Sequence, residues 1–414
     1  MFLRKKLTHA PSKRLKTDIK LDFDFASEDV GSCYNVERKG KGLRTRFRPR
    51  DYILKGEATQ TLTSNGEWYY FMTKAGLYFS FGPYADVILS KFATDVGSCI
   101  FRDGVIVSGK EMGTFYVWED APTQIFEGGF SSVTACADRI FGLNGNEVTY
   151  CEAGEMDGWS KGYILNLGGT CNALTTVGDK VYALGNTCYQ ISPDAVDVEF
   201  KLSQAATNIG AVSKLSVANY NDRAIFASSV GLYQISSNKI TPIFLYLRDH
   251  FDMSISAGAW FDGKYYLSCK RRSTSSKVND ITLCLDVDRE EVCGVFGEGY
   301  ESIGASSKMV YAIKDGACIW FAPNTDEARY VKSNIDFGCD SKKFLDSLTI
   351  KTVTDLVLTI RSENETRVYS ITGKNSEQKI KIRGMGWRFS IEMISSKGLS
   401  VEKLQLEAHV CEEV

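Results

Sequence analysis

The stretch Asp222-Arg223-Ala224-Ile225-Phe226-Ala227-Ser228-Ser229-Val230-Gly231-Leu232-Tyr233 contains the pattern that decides the fold. A polar turn pair is followed by a run of apolar and β-branched residues, then by a glycine and a second short run. Short apolar runs bounded by turn residues are typical of antiparallel β-strands joined by tight turns. The stretch therefore predicts two consecutive strands of a β-meander.

The turn pair recurs seven times along the chain, at intervals of 35 to 45 residues. The copies begin at Asn65, Asp103, Asp138, Asp179, Asp222, Asp262 and Ser307. A unit of about 40 residues with short strands matches the four-stranded blade of a β-propeller, and such units must stack in a ring to bury both faces. We expect a propeller of about seven blades over residues 52–327, and counts of six or eight stay open. The insertion from Arg271 to Asp280 is the predicted surface loop.

After residue 327 the pattern changes to simple alternation of apolar and polar residues. The alternating runs are 348–353, 356–360, 367–371, 379–382, 388–393 and 401–407. Short strands with one apolar and one polar face predict a small β-sandwich over residues 328–414. Within it, Arg383-Gly384-Met385-Gly386-Trp387-Arg388 is predicted to form a hairpin turn. The chain as a whole is thus expected to be all-β.

Length and composition agree with this fold class and exclude several others. A chain of 414 residues with 43% hydrophobic residues can bury a core, and the length predicts two domains or one large β architecture. The aromatic content of 12% favours strands. The first residues lack the apolar core of a signal peptide, and no run approaches the length of a membrane span. We therefore expect a soluble protein made in a reducing compartment.

The net charge of −2 hides a basic N-terminal arm, residues 1–51. Residues 1–50 contain 14 Lys and Arg against 6 Asp and Glu, so the remainder carries about −10. The densest part comprises Arg38, Lys39, Lys41, Arg44, Arg46, Arg48 and Arg50. In an extended segment the last four would share one side, which suits nucleic-acid phosphates. A solvated edge strand, or one that pairs with carboxylates of a neighbouring subunit, explains the same residues at least as well.

No pattern for a metal, a cofactor or a phosphate is present. The twelve cysteines include no Cys-x-x-Cys pair, which disfavours a zinc site, and most of them lie in apolar runs as small buried residues. If the mature protein functions outside a cell, some of them could form disulfides. Phosphate-loop and dinucleotide motifs are missing. We predict no cofactor and no metal.

Catalytic candidates are few. The three histidines, His9, His250 and His409, are far apart in the sequence, which disfavours a nucleophile and base pair. Asp249 with Asp252, and Glu290 with Glu291, are the carboxylate pairs that could support glycoside hydrolysis, although such loop pairs are usually solvated. The recurrent turn aspartates have a structural explanation, because Asp accepts hydrogen bonds from turn amides. We therefore predict no catalytic residues.

Three short sequence motifs resemble motifs of bacteriophage tail proteins of the nozzle or tail-tubular type. They are Gly42-Leu43-Arg44-Thr45-Arg46, the stretch from Asp222 to Tyr233, and Lys381-Ile382-Arg383-Gly384-Met385-Gly386-Trp387-Arg388-Phe389-Ser390-Ile391-Glu392. The last is similar to an Arg-Gly-x-Gly-x-x-Phe-Ser motif that lies at the C-terminal end of many such proteins. Members of that family are commonly larger, with inserted domains.

The resemblance implies a non-enzymatic virion protein of the tail, synthesised in the host cytoplasm. Its copies would form a homo-oligomeric ring, often of six, around the channel through which DNA leaves the capsid. The implied partners are other copies, further tail or adaptor proteins, and the transiting double-stranded DNA. The position in the tail, as nozzle, plug or neck, stays open. The alternative from a different class is a glycan-binding or glycan-cleaving propeller in a receptor-binding role, and a third is a cellular interaction scaffold.

Overall fold

The computed structural model describes residues 57–410 with short gaps, and six backbone strands before residue 57. The gaps are residue 67, 82–83, 162, 194–199, 221, 324–327, 338–339 and 397–398. The chain divides into two compact units, residues 49–322 and residues 1–48 with 323–414. We call them the propeller and the second unit. Short 3-10 helices span Gly158–Lys161, Lys214–Ser216 and Leu245–Asp249.

The propeller has seven blades, each an antiparallel sheet of four strands. The first strands are Ala58–Thr61, Val96–Phe101, Ser132–Cys136, Cys171–Val177, Ala218–Tyr220, Phe251–Phe261 and Ser302–Ala305. The second strands are Tyr69–Thr73, Gly104–Gly109, Arg139–Asn144, Lys180–Gly185, Arg223–Ser228, Lys264–Arg271 and Val310–Lys314. The third strands are Gly76–Phe81, Gly113–Trp118, Glu147–Tyr150, Thr187–Pro193, Gly231–Ser236, Ile281–Asp286 and Ala317–Pro323. The fourth strands are Tyr84–Leu89, Ala121–Phe126, Tyr163–Asn166, Phe200–Thr207, Lys239–Ile243, Glu291–Phe296 and, in the seventh blade, Phe47–Leu54.

The N-terminal strand Phe47–Leu54 closes the ring, because it supplies the strand that the seventh blade lacks. The first and seventh blades are also joined directly. The hydroxyls of Thr61 and Ser302 lie 2.6 Å apart, and the buried Tyr311 hydroxyl donates a hydrogen bond of 2.6 Å to the Leu62 carbonyl. The predicted propeller is confirmed with seven blades, the last completed from the N-terminal side.

The core of the propeller lies between neighbouring blades. Second strands are almost wholly buried, as in Gly104–Gly109, whereas fourth strands such as Ala121–Phe126 are largely exposed. Each described apolar cluster combines residues of two adjacent blades; Tyr69 and Phe71 of the first, for example, pack with Tyr311 and Ile313 of the seventh. Large aromatic rings fill these wedge-shaped spaces, which explains the aromatic content.

The recurrent aspartates occupy the turns between the first and second strands, as predicted. Two turns have positive φ at both central residues: Ala137 and Asp138 at 49° and 55°, and Asp262 and Gly263 at 48° and 75°. This is the type I′ conformation, which matches the twist of a hairpin and favours Asp, Asn and Gly. The segment predicted as a surface loop, between the strands that end at Arg271 and begin at Ile281, is mostly exposed.

The second unit consists of two antiparallel sheets that share one apolar core. The seven-stranded sheet contains Arg4–Lys6, Asp18–Asp22, Val36–Lys39, Gly42–Thr45, Lys343–Thr352, Lys374–Gly386 and Ser400–Val410. The five-stranded sheet contains Val30–Tyr34, Ala328–Ile335, Leu356–Arg361, Thr366–Ile371 and Phe389–Ser395. The shared core includes Leu348 and Leu406 of the first sheet and Tyr330, Leu358 and Ile391 of the second.

The second unit differs from the sequence-based expectation in two ways. The described strands of the predicted N-terminal arm before residue 47 belong to the second unit, since Asp18–Asp22 pairs with Ser400–Val410 and Val30–Tyr34 pairs with Ala328–Ile335. These pairings cover strand edges that would otherwise expose unpaired amides. The predicted hairpin turn over residues 383–388 is also wrong, because the strand continues through Gly386 and the next strand, Phe389–Ser395, belongs to the other sheet. The bend at residues 387–388 therefore connects the two sheets and does not join two paired strands.

Candidate functional site

The first strands of all seven blades line a central channel with a cavity of about 430 Å³. Its wall is formed mainly by small and hydroxyl-bearing residues, because only small side chains fit where seven strands converge. Gly97 shows how close the strands approach: a Cβ atom there would lie 2.7 Å from the Cα of Ser132 in the next blade. A cavity of this size is in the range of small-molecule pockets.

Polar side chains in the channel wall pair across neighbouring blades. The hydroxyls of Thr134 and Thr176 lie 2.8 Å apart. Thr175 donates a short hydrogen bond to the Asn219 side-chain oxygen, and the Asn219 amide donates to the Thr176 carbonyl at 3.2 Å. Ser132 accepts a bond of 2.9 Å from the Leu174 amide. These bonds hold adjacent blades together, so the hydroxyl groups of the wall serve the closure of the ring.

Lys214 lies at the end of the channel where the first strands begin. Its ammonium group donates to the carbonyls of Val96 at 2.9 Å and Ser131 at 2.7 Å, and it forms an ion pair with Asp95. The side chain thereby links the segment before the fifth blade to the second and third blades. Burial lowers the pKa of Lys214, and Asp95 opposes this effect only in part. All three donor positions of the ammonium have acceptors, which favours a structural role over a nucleophilic one.

No sequence motif marks Lys214 as a channel residue. It lies in the short run Ser213-Lys214-Leu215-Ser216, which contains no motif, and its partners are 83 and 118 residues away. The only available signal is a basic residue immediately before a first strand, and that signal is common. Such a contact depends on the ring being closed, which local sequence cannot reveal.

At the opposite end of the channel, the turns between first and second strands carry the aspartates. Asp138 accepts two hydrogen bonds from the Arg102 guanidinium, at 3.0 and 2.9 Å, so this exposed pair spans the second and third blades. Trp260 and Tyr220 stack at 3.7 Å between ring centroids beside the same mouth. This mouth therefore carries an ion pair between two blades and an aromatic stack.

The carboxylates considered for glycoside hydrolysis are not arranged as a catalytic pair. Asp252 forms an ion pair of 2.9 Å with Lys270, and this bond, with the Ser254 amide, lowers the pKa of Asp252 to about 2. A group that is ionised at neutral pH cannot serve as the general acid. Asp249 bonds to its neighbour Arg248, and Glu290 accepts a bond from the Phe244 amide. His250 donates its backbone amide to the Leu247 carbonyl.

The basic residues predicted to contact subunits or DNA fall on several strands. Arg38 and Lys39 lie on Val36–Lys39, which pairs with Gly42–Thr45, the strand of Arg44. Arg48 and Arg50 lie on Phe47–Leu54, in another sheet. Lys41 and Arg46 are outside the described residues. Arg44 therefore lies in a different sheet from Arg48 and Arg50, so these three arginines do not share one strand.

The part of the chain that the structure describes contains neither a cluster of metal ligands nor a membrane-spanning helix. No group of three or more His, Cys, Asp or Glu residues in that part of the chain could hold a metal ion. No helix among the residues with described placement is long and apolar enough to cross a membrane.

Comparison with known proteins gives likenesses of structure only. No family model and no curated protein matches the sequence. The WD40 β-propeller domain of Doa1 is similar over 66% of this chain and 95% of that domain, at 9% identity and a TM-score of 0.46. YCF48 bound to D1 peptide is similar over 67% of this chain and 95% of its own, at 9% identity and a TM-score of 0.42. PorZ of Porphyromonas gingivalis is similar over 88% of this chain and 64% of its own, at 10% identity and a TM-score of 0.44.

Proposed function

We propose that this chain is a non-enzymatic structural protein of a bacteriophage tail, whose copies form a ring around the DNA exit channel. The observation that carries the proposal is the basic segment of residues 36–54, which is built as strands into both units of the fold. This segment has a net positive charge, whereas the rest of the chain has a net negative charge. A segment integrated in this way can bind a neighbouring copy or DNA without a separate ordering cost.

The central channel of the propeller supports a structural role. A cavity of about 430 Å³ is of the size that holds a small molecule and cannot pass a DNA duplex. Lys214 crosses one end of it, and the wall hydroxyls bond to each other. In the proposed ring, the DNA channel would therefore be enclosed by several copies of the chain. Each propeller would form part of the wall of that channel, and DNA would not pass through the propeller itself.

The carboxylates support a non-enzymatic role in the same way. Among the described aspartates and glutamates, every one whose pKa clearly departs from its ordinary value departs downwards, as for Asp138, Asp252 and Glu392. An acid catalyst at neutral pH needs a raised pKa instead. This weighs against glycan cleavage, although it does not concern glycan binding.

The test is the assembly of the full chain. Native mass spectrometry and electron microscopy of the purified protein and of tail particles should detect a closed ring of equal copies. Replacing Arg44, Arg46, Arg48 and Arg50 together by Ala should abolish the ring while the melting temperature of the single subunit changes little, because the proposal assigns these charges to contacts between copies or with DNA. A strictly monomeric protein that is absent from particles would refute the proposal.

A matched control separates this effect from the loss of four charges. Lys74, Lys110, Lys201 and Lys239 are exposed lysines of the propeller, and their joint replacement by Ala changes the net charge by the same amount. The control variant should assemble like the wild type. If both variants fail to assemble equally, the arginines have no specific role and only total charge matters.

A further inference from the structure

Two cysteines of the sixth blade lie in direct contact on neighbouring strands. Cys284 is on the third strand, Ile281–Asp286, and Cys293 is on the fourth, Glu291–Phe296. Their Sγ atoms are 3.3 Å apart, and the Cys293 thiol also lies 3.1 Å from the Cys284 carbonyl oxygen. Cys284 is fully buried, whereas Cys293 is partly exposed.

A β-bulge brings the two thiols together. Cys284 pairs with Gly294 and Leu285 pairs with Val292, so Cys293 is the extra residue between these two pairs. In a regular ladder, neighbouring residues of a strand point to opposite faces, and the bulge changes the direction in which the extra residue points. The contact is thus a specific feature of this strand pair.

At the other described cysteines, burial works against the reactive thiolate form. Burial raises the pKa of Cys136 and Cys188 to about 11, and that of Cys171, Cys269 and Cys318 to about 12. Such thiols hold little thiolate at neutral pH and react slowly with oxidants. The sixth-blade pair has in addition a cation nearby, because the ammonium of Lys264, bonded to Asp286 at 2.6 Å, interacts electrostatically with both thiols.

We propose that Cys284 and Cys293 form a redox-active dithiol site, which a low-molecular-weight disulfide converts to an intramolecular disulfide. The Cys293 thiolate, being the accessible one, attacks one sulfur of the small disulfide and releases the first small thiolate. The Cys284 thiolate then attacks Cys293 Sγ, forms the protein disulfide and releases the second small thiolate. Two electrons pass from the protein to the small disulfide, and the two thiol protons pass to the released thiolates or to water.

Oxidation would join the partly buried fourth strand of the sixth blade covalently to the buried third strand. The sulfur atoms need to approach by only about 1 Å, since a disulfide bond is about 2.05 Å long. The oxidised form would be favoured outside a reducing cytoplasm. The amides of Glu291–Phe296 should then exchange hydrogen more slowly in the oxidised protein, because local opening of that strand is restricted.

The experiment incubates the folded full-length chain with glutathione disulfide, alkylates the remaining thiols and maps tryptic peptides. Trypsin cleaves after Arg289, so the disulfide would join peptide 278–289 to peptide 290–308, each of which has one cysteine. We expect this linked pair to appear and to vanish after reduction. Persistent alkylation of both cysteines, a lasting glutathione adduct on Cys293, or linkage only in denaturant would overturn the proposal.

Two controls make the result specific. Cys171 and Cys188 lie on the first and third strands of the fourth blade and fall in separate tryptic peptides, 162–180 and 181–201. They should remain alkylated as thiols under the same conditions. In Cys293→Ser, a change at a partly exposed position, Cys284 should stay reduced. Oxidation of Cys284 at the wild-type rate in that variant would contradict the assigned order of attack.

Discussion

The propeller and the second unit are both antiparallel, but the chain builds them in opposite ways. Six of the seven blades are each formed by one continuous segment, with strands joined in sequence order. In the second unit, strands from the first 48 residues are inserted beside strands from residues 328–410, and neighbours in a sheet can be more than 300 residues apart in sequence. The propeller is thus built mainly from local repeats, whereas the second unit forms only when strands from the N-terminal and C-terminal parts of the sequence pair with each other.

The seventh blade combines the two modes of assembly. Its first three strands are consecutive, while its fourth, Phe47–Leu54, comes from the N-terminal side. Because the ring closes through this strand, the local repeat is completed by a non-local contact. The comparison therefore predicts that the two units respond differently to shortening the chain from its N-terminal end.

The largest expected effect comes from two deletions. A chain that begins at Phe47 keeps all four strands of the seventh blade but loses five strands of the second unit, so the propeller should stay folded while the second unit loses protection from hydrogen exchange. A chain that begins at Glu57 also opens the ring, and both units should lose protection. Mass-spectrometric exchange of peptides from each unit measures this. Equal protection of the propeller in both deletions would show that the closing strand contributes nothing.

A second, smaller effect is expected at the closure itself. Tyr311 is fully buried between the seventh and first blades, where its ring lies 4.8 Å from that of Tyr69 and its hydroxyl bonds to Leu62. Tyr311→Ala should lower the free energy of unfolding of the propeller by about 3–5 kcal/mol, the usual range for a large buried aromatic residue. Urea denaturation with tryptophan fluorescence measures it.

The control for this variant lies outside the core. Trp118 is on the third strand of the second blade and is about half exposed, at 56%. Trp118→Phe should therefore change the unfolding free energy of the propeller by less than about 0.5 kcal/mol. If Tyr311→Ala has an effect as small as this, the first and seventh blades are not energetically coupled through Tyr311.

The same contrast explains how much could be predicted from the sequence. Turn aspartates such as Asp138 and Asp262 recur because each blade needs a tight turn between its first and second strands, so the blade count follows from their spacing. The six alternating runs after residue 346 all correspond to strands. By contrast, the pairing of Asp18–Asp22 with Ser400–Val410 leaves no local pattern, since a strand's composition does not identify its partner. Lys214 was missed for the same reason, because its three acceptors belong to distant blades.

The smallest expected effect concerns a buried ion cluster of the second unit. Glu392 is almost fully buried on the central strand of the five-stranded sheet and accepts bonds of 2.6 Å from both Arg329 and Arg361. Burial alone would raise the pKa of Glu392, but these bonds outweigh it and the pKa is lowered. Glu392→Gln keeps the shape and removes the charge, so it should cost about 1–3 kcal/mol at neutral pH, the range for bonds to a charged group.

The pH dependence distinguishes this ionic contribution from packing. Because the folded pKa of Glu392 lies below the unfolded value of about 4.3, its contribution is complete above that pH and is lost as the pH falls through the folded pKa. The difference between wild type and Glu392→Gln should therefore shrink in acid, whereas Glu402→Gln, at a half-exposed pair with Lys351, should differ little at any pH. If the difference in unfolding free energy between wild type and Glu392→Gln is the same at pH 3 and pH 7, the effect comes from packing and not from the charge of Glu392. Non-local pairing in this unit would then rest on its apolar core, without an ionic contribution from Glu392.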